Sequence, residues 1–328
     1  YFFGGSDETV EYARQFMEII LLGNVVTHLY LGLNAVLRAS GHPKQAMYAT
    51  IATVAINTIL APIFIFMFDW GIRGAAIATV SAQVIALLWQ LKQFNNANEL
   101  LHFRRGIFRL KRKIVFDSLA IGMSPFLMNL AACLIVILIN QGLKKYGGDL
   151  AIGAFGIVNR LVFIVVMIVM GLNQGMQPIA GYNFGAKLYD RVNKALKLTI
   201  IYATCVTTFG FLVGMLAPNL VVGIFTSDAE LTELSATGLR ITVMFFPIIG
   251  FQMVTSNFFQ SIGMAGKAIF LSLTRQMLIL LPCLLILPHF FGVAGVWYSM
   301  PVSDLLASLI ALVMLVYQFR KFKTAAAH

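Results

Sequence analysis

Acidic residues are scarce in this sequence of 328 residues. Asp and Glu together number 13, against 24 Lys and Arg, and charged residues make up only 11% of the chain. A soluble domain carries about a quarter charged residues. A soluble core cannot enclose the 59% of residues that are hydrophobic, so the composition excludes an ordinary soluble domain and indicates that lipid surrounds most of the chain.

Cysteine is also rare, and its three positions lack the spacing of a metal site or of a disulfide framework. Cys133, Cys205 and Cys283 each lie in an apolar run, which predicts that they are small buried hydrophobic residues. No GxxxxGKS/T loop occurs, so nucleotide hydrolysis within the chain is not expected. After Tyr1 there is no basic segment followed by a short apolar run, so we do not expect these residues to be a signal peptide. We expect neither a bound metal nor an organic cofactor.

Long apolar runs are what the sequence does contain. A helix needs about 20 apolar residues to cross the hydrocarbon of a membrane. The segments of that length lie near Ala13–Leu37, Ala46–Phe68, Gly74–Leu91, Val115–Leu138, Ala151–Ala180, Leu198–Phe225, Leu239–Ile262, Ala268–Phe290 and Val293–Tyr317. The sequence therefore predicts an all-α integral membrane protein with nine transmembrane helices.

Positive charge is concentrated in alternate loops between these segments. Such loops hold seventeen of the 24 Lys and Arg, seven of them from Lys92 to Lys113. Because Lys and Arg are retained on the cytoplasmic side, we expect a multi-pass protein of the cell (inner) membrane with a cytoplasmic C-terminus. Contact with anionic membrane lipids explains the basic run better than a nucleic-acid site does.

The chain repeats itself at a spacing of about 221 residues. Ser6-Asp7 corresponds to Ser227-Asp228, and Gly71–Ala75 corresponds to Gly292–Val296, while Gly41 matches Gly263 with a shift of one residue. An even number of helices separates the copies, so they run in the same direction, as in transporters made of two bundles related by an axis along the membrane normal.

The repeat predicts the domain organisation. Three helices precede the repeated part in the second copy and none does in the first, so we expect a parent of twelve helices, six plus six, and a fragment without about the first three. Residues 1–98 would form an incomplete N-terminal bundle (helices 4–6), residues 99–113 a basic cytoplasmic linker, and residues 114–328 the C-terminal bundle (helices 7–12).

Polar side chains at membrane depth are candidate functional residues, because a charge there usually faces a bundle interior or a water-filled cavity. Arg275 and Asp304 lie on the last two helices, where they either form a structural ion pair or let Asp304 couple a proton. The residues expected to line a substrate cavity are Asn140, Asn159, Arg160, Asn173, Gln174 and Arg275.

The segment from Gln177 to Lys187 carries a specific motif. Pro178 is expected to break the helical hydrogen-bond ladder, and the pairs Gly171/Gly175 and Gly181/Gly185 are expected to let helix backbones approach closely. The order of residues resembles the signature that follows the eighth helix in the MATE (multidrug and toxic compound extrusion) family, bacterial multidrug branch. The matching residues are Gln177, Pro178, Gly181, Tyr182, Asn183 and Gly185.

A second segment, from Asn57 to Thr79, resembles the fifth and sixth helices of the same family. In many members an Asn, an Asp four residues later and a Thr contribute to a cation or proton site, and Asn57 and Thr79 match two of these positions. The Asp position is occupied by Ala61, so the resemblance implies that this site is built differently here.

The resemblance implies a secondary active exporter of multiple drugs and organic cations. Two bundles would open a central cavity alternately to the two sides of the membrane, driven by antiport of H⁺ or Na⁺. The protein would be a monomer. Its partners would be membrane lipids and small amphiphilic or cationic compounds, and not nucleic acid. A flippase for a lipid-linked precursor or a polysaccharide exporter of the same superfamily is the alternative. An enzyme is not expected, because no catalytic set of residues occurs at membrane depth, and neither is a channel, because no filter-like loop recurs.

Overall fold

The computed structural model describes residues 7–96, 101–103, 106 and 110–326. The regular elements within these ranges are all helical, and no strand occurs in them, which confirms the predicted all-α class. The chain divides into two compact units, residues 1–110 and 111–328. Part of the predicted linker, residues 99–113, lies outside the described residues, and the predicted domain limits stay predictions.

The described part of the first unit contains four α-helices: α1 (Asp7–Leu22), α2 (Asn24–Ala39), α3 (Pro43–Pro62) and α4 (Gly71–Phe94). α1 and α2 are two parts of one element that bends by 54°. The bend lies at Gly23, where a Cβ atom would meet Val80 of α4 at 2.5 Å, so only glycine permits this approach. α3 begins with Pro43 in its first turn, a position that tolerates the missing backbone donor, and continues as a π-helical stretch, Ile63–Met67.

The second unit begins with the long helix α5 (Arg112–Gly185), which is broken at Gly148. Gly148 has φ 66° and ψ −164°, a conformation that is essentially restricted to glycine. α5 therefore consists of two arms, residues 112–147 and residues 149–185. The remaining helices are α6 (Tyr189–Leu216), α7 (Pro218–Val222), α8 (Ala229–Val243), α9 (Phe246–Ser261), α10 (Ala265–Leu273), α11 (Leu281–Phe291) and α12 (Val293–Ala326), with a π-helical stretch, Thr274–Leu280, between α10 and α11.

The internal repeat is present in the geometry of the backbone. α8 and α9 form a bent pair like α1 and α2, with a bend of 55° against 54°. Gly41 and Gly263 share a positive φ of 87° and 75°. Gly71 and Gly292 also share a positive φ, of 50° and 57°. The glycines in the matched motifs therefore lie at corresponding helix ends in both copies, since a positive φ favours glycine.

The membrane-spanning elements agree with the predicted segments. Six described helices are long and apolar enough to cross a membrane, or eight elements when each bent pair counts as one span. Because α5 is two helices joined at Gly148, the described part of the chain supplies nine spans. The prediction of Leu198–Phe225 was wrong at both ends: α6 runs from Tyr189 to Leu216. It stops there because Pro218 follows and disfavours helical geometry in the residue before it.

The outer surface is rich in large apolar side chains. Phe66, Leu216 and Phe290 are 78%, 79% and 78% exposed, a pattern that suits contact with lipid and not with water. The same environment corrects the prediction for cysteine: Cys133 and Cys205 are exposed and Cys283 is half-buried, because lipid accepts a thiol as readily as a core does.

Candidate functional site

A cavity of about 250 Å³ lies inside the second unit. It is enclosed by both arms of α5, by α9, and by α10 with the π-helical stretch that follows it. The lining residues on the second arm of α5 recur at the spacing of one helix face, and so do the lining residues on α9. The lining residues are Pro125, Met128, Asn129, Met170, Asn173, Gln174, Gln177, Gln252, Met253, Ser256, Asn257, Gln260, Ser272, Arg275 and Gln276. Eight of them are amides and three are methionines, so the wall combines hydrogen-bonding groups with deformable apolar surface.

Asn173 is the most informative residue of the wall. It is only 2% exposed, and neither its Nδ2 nor its Oδ1 has a hydrogen-bond partner within the described part of the chain. The Oε1 atom of Gln276 is also buried without a hydrogen-bond partner among the described residues. A buried amide without hydrogen-bond partners destabilises the folded state by about 1–3 kcal/mol. Proteins keep such a group mainly where it binds a ligand, a water or an ion.

Other polar groups of the wall are held by neighbours. The Asn129 Nδ2 atom donates to the Pro125 carbonyl oxygen at 2.8 Å, and the Asn257 Nδ2 atom donates to the Met253 carbonyl oxygen at 3.0 Å. The hydroxyl groups of Ser256 and Ser272 hydrogen-bond each other at 2.9 Å, which ties α9 to α10. These bonds fix the wall around Asn173.

An ion pair lies at the edge of the cavity. The Nε atom of Arg275, in the π-helical stretch, donates to Oδ1 of Asp304 on α12 at 2.7 Å. The Asp304 side chain is 4% exposed and the Arg275 side chain 32%. Arg275 lines the cavity, whereas Asp304 lies behind it and is not part of the lining. Of the two possibilities that the sequence left open, the pairing is therefore observed.

Three residues expected to line a substrate cavity do not line this one. Asn140 is half-buried on the first arm of α5, and Asn159 and Arg160 are exposed on the second arm. Asn159 precedes Asn173 by 14 residues, which is about 21 Å along a helix. Their functional role stays a prediction.

The residues of the motif that begins at Gln177 lie in different surroundings. Gln177 lines the cavity. Gly181 lies so close to α9 that a Cβ atom would meet the Ser261 carbonyl oxygen at 2.9 Å. Asn183 is buried, with Nδ2 donating to the Ile179 carbonyl oxygen at 2.8 Å, whereas Tyr182 is 76% exposed.

Pro178 has no backbone N–H to donate, so one bond of the helical ladder is missing there. α5 nevertheless continues through Pro178 to Gly185, because a membrane helix tolerates the loss of one backbone donor. One expectation for the motif was wrong: close backbone approach was expected at Gly171, Gly175 and Gly185, but a Cβ atom at each would have nothing within 4 Å. Of the four glycines, only Gly181 allows a tight contact in the described structure.

In the first unit, Asn57 lies on α3 and Thr79 on α4, and these two helices pack together. The Oδ1 atom of Asn57 is buried without a hydrogen-bond partner among the described residues. The Thr79 hydroxyl donates to the Ala75 carbonyl oxygen of its own helix at 3.0 Å. An unpartnered oxygen of this kind suits a cation or a proton carrier, but Ala61 supplies no charge beside it.

Several wall residues were not identified from the sequence, above all Gln252, Gln260 and Gln276. A signal was available for two of them, because Gln252, Ser256 and Gln260 recur every four residues on one face of α9. Gln276 carried no such signal, since its position depends on the π-helical stretch.

The sequence matches the MatE family over residues 1–63 and 121–285. Relatives include the multidrug export protein MepA of Staphylococcus aureus (strain MSSA476), 28% identical over 321 residues, which cover 97% of this chain and 69% of MepA. MepA of Staphylococcus haemolyticus (strain JCSC1435) is 28% identical over 319 residues, with 96% and 69% covered.

Solved structures agree with this match. The structure of the MATE multidrug transporter DinF-BH is 34% identical and superposes with a TM-score of 0.86 over 95% of this chain and 70% of that one. A MOP superfamily transporter from Pyrococcus furiosus superposes with a TM-score of 0.91 over 98% of this chain and 72% of that one; at 23% identity it shares the fold. The chain therefore belongs to the MatE family of membrane transporters.

Proposed function

We propose that the protein is a secondary active exporter that moves multiple amphiphilic organic compounds out of the cell in exchange for H⁺ or Na⁺. The observation that carries the proposal is the cavity in the second unit, whose wall holds a buried amide, Asn173, with no partner of its own among the described residues. MepA is described as a multidrug export protein and DinF-BH as a multidrug transporter, which supports multidrug export for this chain. Alternating access is the mechanism expected for a protein built from two helix bundles.

Coupling to a cation requires a group whose occupation favours one conformation over the other. Asp304 is the candidate in the second unit, because its ion pair with Arg275 joins α12 to the π-helical stretch. Protonation of Asp304 would remove one charge of this pair and loosen the connection. In the first unit, Asn57 and Thr79 are the candidates, and the unpartnered Oδ1 atom of Asn57 supports a role for this position.

The surroundings of the protein follow from the same proposal. The protein lies in the cell (inner) membrane with its C-terminus in the cytoplasm, as the concentration of Lys and Arg in alternate loops supports. It works as a monomer, with lipids and small organic substrates as partners and without nucleic acid.

A flippase for a lipid-linked precursor, or a polysaccharide exporter, is less well supported. Such a site needs several cationic side chains to hold a pyrophosphate. Within the described lining of the cavity, Arg275 is the single cationic residue.

Efflux of fluorescent dyes from cells that produce the full-length protein tests the proposal. We expect lower dye accumulation than in cells with the empty vector, loss of the difference when the proton and Na⁺ gradients are dissipated, and loss of it in the Asn173→Leu variant. Equal accumulation across a panel of anionic, neutral and cationic dyes would overturn the proposal.

A further inference from the structure

The ion pair of Arg275 and Asp304 presents only one of its ends to the cavity. Arg275 lines the cavity and its side chain is 32% exposed, whereas the Asp304 side chain is 4% exposed and lies behind it. An ion pair oriented in this way is a dipole whose positive end points toward the ligand space. The negative end is shielded by protein.

The guanidinium group has unused donors on its cavity side. Only its Nε atom is engaged, by Asp304, and neither terminal nitrogen makes a hydrogen bond with the described part of the chain. A guanidinium group has five N–H donors in a planar fork that matches a carboxylate or another oxyanion. The terminal nitrogens are therefore available for a bidentate contact.

The rest of the described lining contains no carboxylate. It is made of amides, two serines, a proline and methionines, so Arg275 is the one charged group that faces the ligand. Asp304 compensates part of this charge from behind, but in a site of low dielectric constant the nearer end of the pair has the larger effect on the potential in the cavity. This end of the pair disfavours an organic cation, and a compound without a hydrogen-bond acceptor would leave the terminal nitrogens of Arg275 unused.

We infer that this cavity binds amphiphilic organic anions, with an oxyanion head group on Arg275. Asn173 donates a hydrogen bond to the ligand through its Nδ2 atom, and the ligand's apolar body contacts Met128, Met170 and Met253, which line the same space. The inference rests on the proposed export function and narrows its amphiphilic compounds to organic anions for this cavity, in place of the organic cations that the family resemblance implies.

Two dyes with the same xanthene ring system and opposite charge provide a matched test: anionic fluorescein and cationic rhodamine 6G. Binding to the purified full-length protein in detergent is measured by fluorescence polarisation. We expect fluorescein to bind at least about tenfold more tightly than rhodamine 6G, and Arg275→Gln to weaken fluorescein binding about tenfold or more, because a charge-assisted hydrogen bond is lost. Arg275→Lys keeps the charge without the planar fork, so a smaller loss is expected.

Arg275→Gln also leaves the buried Asp304 carboxylate without a partner, which endangers folding. The double variant Arg275→Gln/Asp304→Asn removes both charges and is expected to lose fluorescein binding to the same extent. Asp304→Asn alone keeps the guanidinium group and is expected to retain binding. Arg240→Gln removes an exposed arginine outside the cavity and serves as the control without effect.

Tighter binding of rhodamine 6G than of fluorescein, or unchanged fluorescein binding in the folded double variant, would overturn the inference. Export and ligand class are separable. If fluorescein binds as expected but the protein exports no dye of the panel, the export function fails and the ligand class stands. If cells export rhodamine 6G through the Asn173 cavity regardless of Arg275, export stands and the ligand class fails.

Discussion

At the scale of single residues, the pairing of Arg275 with Asp304 has a consequence for stability. Removing one partner of a buried ion pair costs about 3–5 kcal/mol, because the remaining charge is uncompensated, whereas replacing both by apolar residues is often neutral. We therefore expect Arg275→Met to lower the midpoint of thermal unfolding in detergent strongly, and Arg275→Met/Asp304→Leu to restore most of it. If the double variant is as unstable as the sum of the two single variants, the two side chains are not coupled.

For Asn173 we expect a substitution to have the opposite effect on stability. Its amide is buried and has no partner among the described residues, so Asn173→Leu removes a polar group that no other group satisfies and is expected to keep or raise the unfolding midpoint while abolishing dye export. Asn34 is the matched control, because its Nδ2 atom donates to the Ala46 carbonyl oxygen at 2.9 Å and its Oδ1 atom accepts from Arg38 at 2.7 Å. Asn34→Leu is expected to destabilise the protein by about 1–3 kcal/mol. A midpoint lowered equally by both substitutions would indicate that Asn173 has only a structural role.

The sequence identifies part of this wall and misses the rest for a physical reason. Depth in an apolar run was enough to select Asn173, Gln174 and Arg275. Depth cannot say which face of a helix meets another helix, so Asn159 and Arg160 satisfied the same criterion without lining the cavity. The π-helical stretch that positions Gln276 departs from the regular helical spacing, so periodicity does not predict which face Gln276 is on.

At the scale of elements, two equivalent glycines control how the second and third spans of each repeat copy meet. A Cβ atom on Gly74 would lie 2.6 Å from the Phe64 carbonyl oxygen, and one on Gly295 would overlap the Leu287 carbonyl group. Backbone atoms cannot move aside as a flexible side chain can, so Gly74→Ala and Gly295→Ala are each expected to lower the unfolding midpoint.

Gly32→Ala is the control for these two variants. Gly32 lies within α2, where an added Cβ atom would have nothing within 4 Å, and alanine is favoured over glycine in a helix by about 1 kcal/mol. This substitution is expected to leave stability unchanged or raised. Loss of stability in all three variants would show that the close backbone approach is not the cause.

The repeated glycines also show which elements a sequence can reveal. A positive φ favours glycine, so Gly41, Gly71, Gly263 and Gly292 mark helix ends in both copies and made the repeat detectable. The bends of 54° and 55° were not predicted, because they have different local causes: Gly23 lies at the first, whereas the second has no glycine between α8 and α9 and has Pro247 in the first turn of α9.

At the scale of the whole molecule, the distribution of charge predicts a testable orientation. In a background without Cys133, Cys205 and Cys283, Asp228→Cys is expected to react with a membrane-impermeant maleimide added to intact cells. Asp190→Cys, beside the basic residues after α5, is expected to react only after permeabilisation. Both positions are exposed in the structure, so the reverse pattern would invert the predicted topology.

The break at Gly148 allows almost no variation in the length of the chain. Residues 125–129 and 170–177 line one cavity from opposite arms of α5, so the arms lie side by side and are joined by a single non-helical residue. Each additional residue in a helix turns everything after it by about 100°. One inserted residue after Gly148 would therefore rotate Asn173 and Gln177 out of the wall, whereas the loop at Phe225–Asp228 has slack to absorb insertions. The binding surface is thus set by a register between two helices, and evolution can change its side chains far more easily than its spacing.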